Sequence, residues 1–191
     1  QKGKVSGAVY SRNPELDSLY PKIYSYFAKS NPLHTNVFPA VRKMENDLVK
    51  MMINLFQGDE DVVGCFTAGG TESILLACKT YRDRGYQMGI TKPNMIVSST
   101  AHCAFHKAAK YFGIELVSIP CLQDGKYDLL ELVNKINYNT VLVVASAPSY
   151  NLGIVDQIEE IGNICIRNNV SFHVDCCMGA FMINFSQEEY N

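Results

Sequence analysis

The chain is short of charge and shows no bias in it: Asp, Glu, Lys and Arg make up 19% of its 191 residues, and the formal net charge is −2. That balance gives no field to gather nucleic acid or an acidic membrane surface. No apolar run approaches the roughly 20 residues of a membrane-spanning helix, and no signal-peptide pattern opens the sequence. The seven cysteines include no Cys-x-x-Cys pair. His102 and His106 stand four apart, but the stretch between them lacks the glutamate of a zincin motif and no third ligand follows, so no metal site is expected. The two common nucleotide fingerprints are missing as well, since there is neither a Gly-Lys-Ser/Thr loop nor a Gly-x-Gly-x-x-Gly turn. Lysine is absent after Lys135. The first residue is Gln1 rather than Met, so the expectation is a piece of a longer protein, with an upstream membrane anchor left open.

What is present is enough apolar residue, 47%, for one good α/β core. The cysteines are expected to be small buried hydrophobes in a reducing compartment, and vicinal Cys176 and Cys177 are not expected to bridge. The first part of the chain, about 1–60, reads as a helical segment. One helix is expected over 14–30, kinked or divided by Pro21, and another over 39–56 with Val41, Met44, Leu48, Met51, Met52 and Leu55 on one face. From 61 to 191 strands and helices alternate: strands over 62–66, 95–99, 115–119, 140–145 and 171–175, helices over 71–84, 102–112, 129–136 and 156–168. Gly85, Gly113 and Asn168-Asn169 are read as helix stops. Strands such as Val141-Leu142-Val143-Val144 are apolar on both faces, as a sheet covered on both sides requires. The fold class is therefore α/β, a mostly parallel doubly wound sheet with helices on both faces.

The chemistry collects at strand ends, where ligands of such sheets bind. The run Thr67-Ala68-Gly69-Gly70-Thr71-Glu72-Ser73 opens a helix with two glycines, and the first free amides of a helix favour an anion such as phosphate. His102 follows another strand at a helix start, where its flat ring can stack on a cofactor or cap the helix. Asp175 ends the strand His173-Val174-Asp175. A carboxylate there can cap a helix, or can hold a heteroaromatic ring nitrogen protonated, the electron-sink arrangement of pyridoxal phosphate chemistry. His173 points away from Phe172 and reads as a core histidine. Tyr150 lies in the turn-rich loop Ser146-Ala147-Pro148-Ser149-Tyr150-Asn151-Leu152-Gly153, within reach of the same end of the sheet.

These motifs resemble the pyridoxal-phosphate-dependent group II decarboxylase family, specifically its sphingosine-1-phosphate lyase branch. The likeness runs through Val5-Ser6-Gly7-Ala8-Val9-Tyr10, Asn31-Pro32-Leu33-His34, Gly69-Gly70-Thr71-Glu72-Ser73, Ala101-His102, Asp156 after Gly153, and His173-Val174-Asp175. The resemblance implies the large domain of fold type I pyridoxal phosphate enzymes, incomplete here, with the N-terminal segment serving substrate site and dimer contacts. It implies that Gly70 and Thr71 hold the cofactor phosphate, His102 stacks on the pyridine ring and Asp175 pairs with its nitrogen. Tyr10, Asn31, His34 and Tyr150 then match positions around the substrate's amino-alcohol and phosphate ends. The implied activity is retro-aldol cleavage of a phosphorylated long-chain amino alcohol to a fatty aldehyde and phosphoethanolamine, in a homodimer. The base that takes the 3-hydroxyl proton is left open among His34, Tyr10 and Tyr150. The implied location is the cytosolic face, with a parent anchored in the endoplasmic reticulum membrane.

The family's Schiff-base lysine sits in a His-Lys pair several tens of residues beyond the His-Val-Asp strand, and no lysine follows Lys135 here. The expectation is thus an inactive or weakly cofactor-binding fragment. Lys107 and Lys110, on the helix after His102, read as solvent-facing. Alternatives are an amino-acid decarboxylase of the same family, a non-catalytic dimerisation module, and, less well supported, a nucleotide-binding α/β domain.

Overall fold

A computed structural model describes residues 13–185. The chain divides at Phe66/Thr67 into two compact units.

In the first unit, α1 (Pro14–Phe27) and α2 (Pro39–Leu55) each begin with proline in the first turn, where its missing N–H costs nothing. Asn13 caps α1, its side-chain oxygen accepting from the Glu15 amide at 3.0 Å. Pro21 lies inside α1 without dividing it. The carbonyl it leaves without a helical partner belongs to Asp17, which is exposed to solvent. The expected apolar face of α2 is not a buried one: Met44, Leu48 and Met51 are exposed, and α1 and α2 contain no buried residue. Segment 62–66 forms no strand among the described residues. Its apolar composition suits a sheet, but a strand needs a neighbour to take its hydrogen bonds, and Val63 stands 88% exposed. Gly64 instead lies against α2, so close that a Cβ there would sit 2.9 Å from Val49 Cγ1.

The second unit is a three-layer α/β arrangement. Strands β1 (Asn94–Ser98), β2 (Glu115–Ile119), β3 (Thr140–Ser146) and β4 (Phe172–Asp175) form one sheet in the order β2-β1-β3-β4, every pairing parallel. Side chains alternate across it. Met95, Val97, Leu142 and Val144 face α3 (Gly70–Gln87) and α4 (Ala104–Phe112) through Ile74, Cys78, Phe105 and Ala108. Ile96, Val143 and Ala145 face α5 (Leu129–Lys135) and α6 (Ile158–Arg167) through Leu132, Ile161 and Cys165. This is the double winding expected from two-sided apolar strands, with four strands among the described residues rather than five.

The helix stops are of two kinds. Gly113 ends α4 in the left-handed region at φ 64, and Asn169 does the same after α6 at φ 53. Gly85 does not end α3, which continues to Gln87. It is buried in the helix because a Cβ there would lie 2.5 Å from Val141 Cγ1, so the residue is small for packing on β3. Of the cysteines only Cys78 and Cys165 are fully buried; Cys65, Cys103 and Cys177 are exposed, and all seven are free, including Cys176 beside Cys177. No helix of the described residues is long and apolar enough to cross a membrane.

Candidate active site

Strand order sets the position of the site. From β1 the chain moves to one side, to β2, then returns past β1 to β3 and continues to β4. The winding therefore reverses between β1 and β3, and the loops leaving their carboxyl ends diverge around a crevice, the usual ligand position in an open α/β sheet. His102 follows β1 and Tyr150 follows β3, so both rim this switch point. Their rings meet edge to face, centroids 6.1 Å apart and planes at 82°. His102 Nδ1 accepts the Ala104 amide at 3.1 Å, which caps α4 and leaves the ring proton on Nε2. Capping and ring presentation, alternatives from the sequence, are thus compatible in one residue.

Asp175 ends β4 opposite Ser146 of β3. Its carbonyl accepts the Ala147 amide at 2.9 Å, and its Oδ1 accepts the Cys177 amide at 3.2 Å. His173, two residues earlier, points to the α3–α4 side, making edge-on contacts with Tyr81 at 6.4 Å and Phe105 at 6.0 Å. Phe172 packs on the other face, as alternation requires. Burial pushes His173 below its ordinary pKa, against the opposing pull of the Asp175 charge, so the imidazole is neutral in the folded core.

The glycine loop is fixed by its own side chains. Thr67 Oγ1 and Ser73 Oγ lie 2.7 Å apart, and Glu72, third in α3, takes the Ala68 amide at 2.6 Å. The Ser73 amide is bonded to the Gly69 carbonyl at 3.1 Å, so the helical ladder begins there and the preceding amides of Gly70 and Thr71 open outward from the helix start. Gly69 is extended, and a Cβ built on it meets nothing within 4 Å. A Cβ on Gly70 would have Cys177 Sγ as its neighbour, at 3.7 Å. That contact brings the loop beside the segment following Asp175.

Gly70, Thr71, His102, Asp175 and Tyr150 therefore share one end of one sheet. The set fits pyridoxal phosphate: helix-start amides with open space before them for the phosphate, a flat imidazole for the ring face, and a half-buried carboxylate for the ring nitrogen. Asn31 and His34 belong to the first unit, where they build a local turn. Asn31 Oδ1 accepts the Leu33 amide at 3.1 Å, and the His34 carbonyl accepts from Val37 and Phe38 at 3.0 and 2.9 Å. The exposed His34 ring is directed to no partner among the described residues. Tyr10 lies outside the described residues. His106, Lys107 and Lys110 are exposed on α4, and no metal-binding cluster occurs among the described residues.

Sequence reading missed the residues that hold the site in shape. Glutamate at the third position of the helix is a signal for the Ala68–Glu72 bond, and the Thr67–Ser73 pair has none. The proximity of Cys177 to Gly70 had no local signal, since it depends on two distant segments meeting.

Comparison with known proteins agrees with this fold. The model of the pyridoxal-dependent decarboxylase conserved domain matches residues 7–189. Sphingosine-1-phosphate lyase 1 of Rattus norvegicus is 43% identical over 188 residues, 98% of this chain and 33% of its own length. The sphingosine-1-phosphate lyase of Saccharomyces cerevisiae is 42% identical over 192 residues, with 98% and 32% covered. The chain thus spans about a third of the length of the curated relatives it matches. Among solved structures, a sphingosine-1-phosphate lyase of Burkholderia pseudomallei superposes with a TM-score of 0.90 at 32% identity, covering 96% of this chain and 44% of that one. A glutamate decarboxylase of Lactobacillus brevis, 22% identical, shares the fold with a TM-score of 0.80 over 94% of this chain and 44% of that one. Matched by that family model from residue 7 to residue 189, on a parallel α/β sheet of the same fold, this protein is a member of the pyridoxal-dependent decarboxylase family.

Proposed function

We propose that the chain supplies the cofactor-binding part of a carbon–carbon lyase acting on a phosphorylated long-chain amino alcohol. The observation that carries this reading is the convergence of Gly70, Thr71, His102 and Asp175 at the carboxyl ends of the sheet. The substrate class follows from relatives named sphingosine-1-phosphate lyase at 43% and 42% identity.

The family's cofactor is pyridoxal 5′-phosphate, which when bound supplies an electron sink for bond cleavage beside an amine-bearing carbon. The Gly70 and Thr71 amides bind its phosphate, aided by the α3 dipole. His102 would cover a ring face, its ring orientation fixed by the bond from the Ala104 amide. Asp175 would keep a proton on the ring nitrogen, because its charge favours the cation. Tyr150, His34 and Tyr10 are the candidates to take the proton of the substrate's 3-hydroxyl, and Asn31 the candidate to orient its polar end.

We also infer a homodimer. Leu19, Tyr20, Ile23 and Tyr24 of α1 and Met44, Leu48 and Met51 of α2 are exposed, more apolar surface than a solitary helical pair leaves in water. Attachment of a longer parent to the endoplasmic reticulum membrane, facing the cytosol, requires a segment other than the described helices.

The test is direct. Titration of this chain with pyridoxal phosphate is expected to perturb the amide resonances of Gly70, Thr71 and His102, while ATP is expected to leave them in place. A full-length parent is expected to cleave sphinganine phosphate and not to release carbon dioxide from amino acids. Decarboxylation without cleavage would transfer the chain to the amino-acid branch of the family.

A further inference from the structure

Asp156 is 3% exposed, and nothing in the cofactor chemistry uses it. Its Oδ2 accepts the Ser146 amide at 2.8 Å, and its own amide donates to the Ser146 carbonyl at 3.0 Å. The last residue of β3 and the residue ten further on are therefore fastened by two bonds, and everything between forms a closed loop. Within it the Ser149 amide donates to the Ile154 carbonyl at 2.8 Å and the Gly153 amide to the Ser149 carbonyl at 2.9 Å. Tyr150 stands at the tip, 64% exposed, with His102 as its aromatic neighbour.

The loop is held from three sides. Towards β4, Ala147 donates to the Asp175 carbonyl at 2.9 Å and accepts from Cys176 Sγ at 3.2 Å. Gly179 passes so near the Ala147 carbonyl that a Cβ would collide with it. Towards α5, Gln157 grips the Tyr127 backbone at both ends, accepting its amide at 3.2 Å and donating to its carbonyl at 3.3 Å. From below, Gly125 supports the side chains of Ile154 and Leu152. The Asp156 bonds are the outermost of those that close the loop on itself, joining its two ends, and the Ser149–Ile154 and Gly153–Ser149 bonds lie within them.

A carboxylate is a costly choice for this work. Burial raises the Asp156 pKa, offset in part by the Ser146 amide, and its Oδ1 has no hydrogen-bond partner. The hydroxyl of fully buried Tyr127 has none either. A group that is retained in so unfavourable a setting is there for its geometry: a short acceptor on the chain it closes, which an apolar residue cannot replace.

We propose that Asp156 is a positioning residue, whose two bonds to Ser146 close the β3–α6 loop and thereby set Tyr150 against His102 at the mouth of the crevice. The bearing of this on catalysis rests on the function proposed above; the closure itself does not. Asparagine keeps an acceptor for the Ser146 amide. Alanine and leucine remove the acceptor, leucine while keeping the volume.

Hydrogen exchange on this chain separates these cases. In Asp156→Ala the amides of Ser146, Ser149, Gly153 and Ile154 are expected to exchange at least about tenfold faster, while Ile96 and Val97 of β1 keep their rates. Asp156→Asn is expected to stay within about twofold of the parent at every position. If the alanine variant does not fold, Asp156→Leu is read in its place. Loop rates equal to the parent's, or acceleration spread equally over β1, overturn the proposal. Pyridoxal phosphate binding is then compared, with at least about fivefold weakening expected in the alanine or leucine variant and recovery in asparagine. A parent chain that binds no pyridoxal phosphate contradicts the proposed function, and the exchange rates still decide the role of Asp156.

Discussion

The rings of His102 and Tyr150, forty-eight positions apart in sequence, meet edge to face across the switch point with centroids 6.1 Å apart. Because His102 also caps α4, its two contributions can be separated. His102→Phe keeps a flat ring beside Tyr150 and removes the acceptor for the Ala104 amide. It is expected to lose about 1 kcal/mol in urea unfolding, the usual cost of a missing cap, yet keep most of its pyridoxal phosphate affinity. His102→Ala is expected to lose the same stability and, in addition, at least about tenfold in affinity, read by Tyr fluorescence on titration. Equal affinities for the two variants would remove the ring from the site.

The open space before Gly69 gives a second test. Its backbone is extended and any residue adopts that conformation, while an added Cβ meets no atom of the chain. Gly69→Ala is therefore expected to change unfolding stability by no more than about 0.5 kcal/mol. If the space belongs to a phosphate, the methyl group crowds it, and affinity for both inorganic phosphate and pyridoxal phosphate falls. Unchanged phosphate binding, measured by titration calorimetry, assigns the glycines to chain geometry alone.

Gly85 is a packing glycine, and its cost is predictable. Gly85→Ala sets a methyl 2.5 Å from Val141 Cγ1. Overpacking of this kind costs about 1–3 kcal/mol, against about 1 kcal/mol of gain from alanine in a helix. A net loss of about 1 kcal/mol is expected in urea titration. Val141→Ala in the same chain should recover much of it, so that the double variant is more stable than the two separate losses predict.

That glycine also marks where sequence reading stops. Gly113 and Gly85 look alike as punctuation after helical stretches, and one is a stop and the other a contact with a strand more than fifty residues away. The sheet was legible because β1 and β3 are apolar without interruption, a pattern that only two-sided cover explains. Segment 62–66 carries the same composition and forms no strand, because pairing depends on a neighbour that local composition does not report. His102, Tyr150 and Asp175 could be read as site candidates since each directly follows or ends an apolar strand, and the sheet carries such ends to one edge. Asp156 could be noted only as part of a motif: its bonds to Ser146 depend on how the loop folds back. The apolar stripe of α2 was legible as a stripe, but not that it would stay exposed.

The pair His173 and Asp175 yields a pH dependence. Burial holds the His173 pKa below its ordinary 6.5, the Asp175 charge opposing, and the other groups facing it are the rings of Tyr81 from α3 and Phe105 from α4. Tyr81 is itself pushed up by burial and stays neutral through this range. With a depressed folded pKa, the unfolded chain binds the more protons just below 6.5. The contribution of His173 to stability is therefore complete above 6.5 and is lost as pH falls through that value towards the folded pKa. Asp156 acts with opposite sign: its folded pKa is raised, so its contribution is present below 3.8 and lost as pH rises through the folded value. His173→Gln is expected to remove the fall in stability as pH drops below about 6.5 in urea titrations. Asp175→Asn keeps an acceptor for the Cys177 amide but removes the charge that favours the imidazolium. The His173 Cε1 proton is then expected to titrate at still lower pH than in the parent. A His173 resonance that moves to higher pH in Asp175→Asn would show that the carboxylate does not bear on the imidazole, and would weaken with it the case that Asp175 can hold a proton on a nearby ring nitrogen.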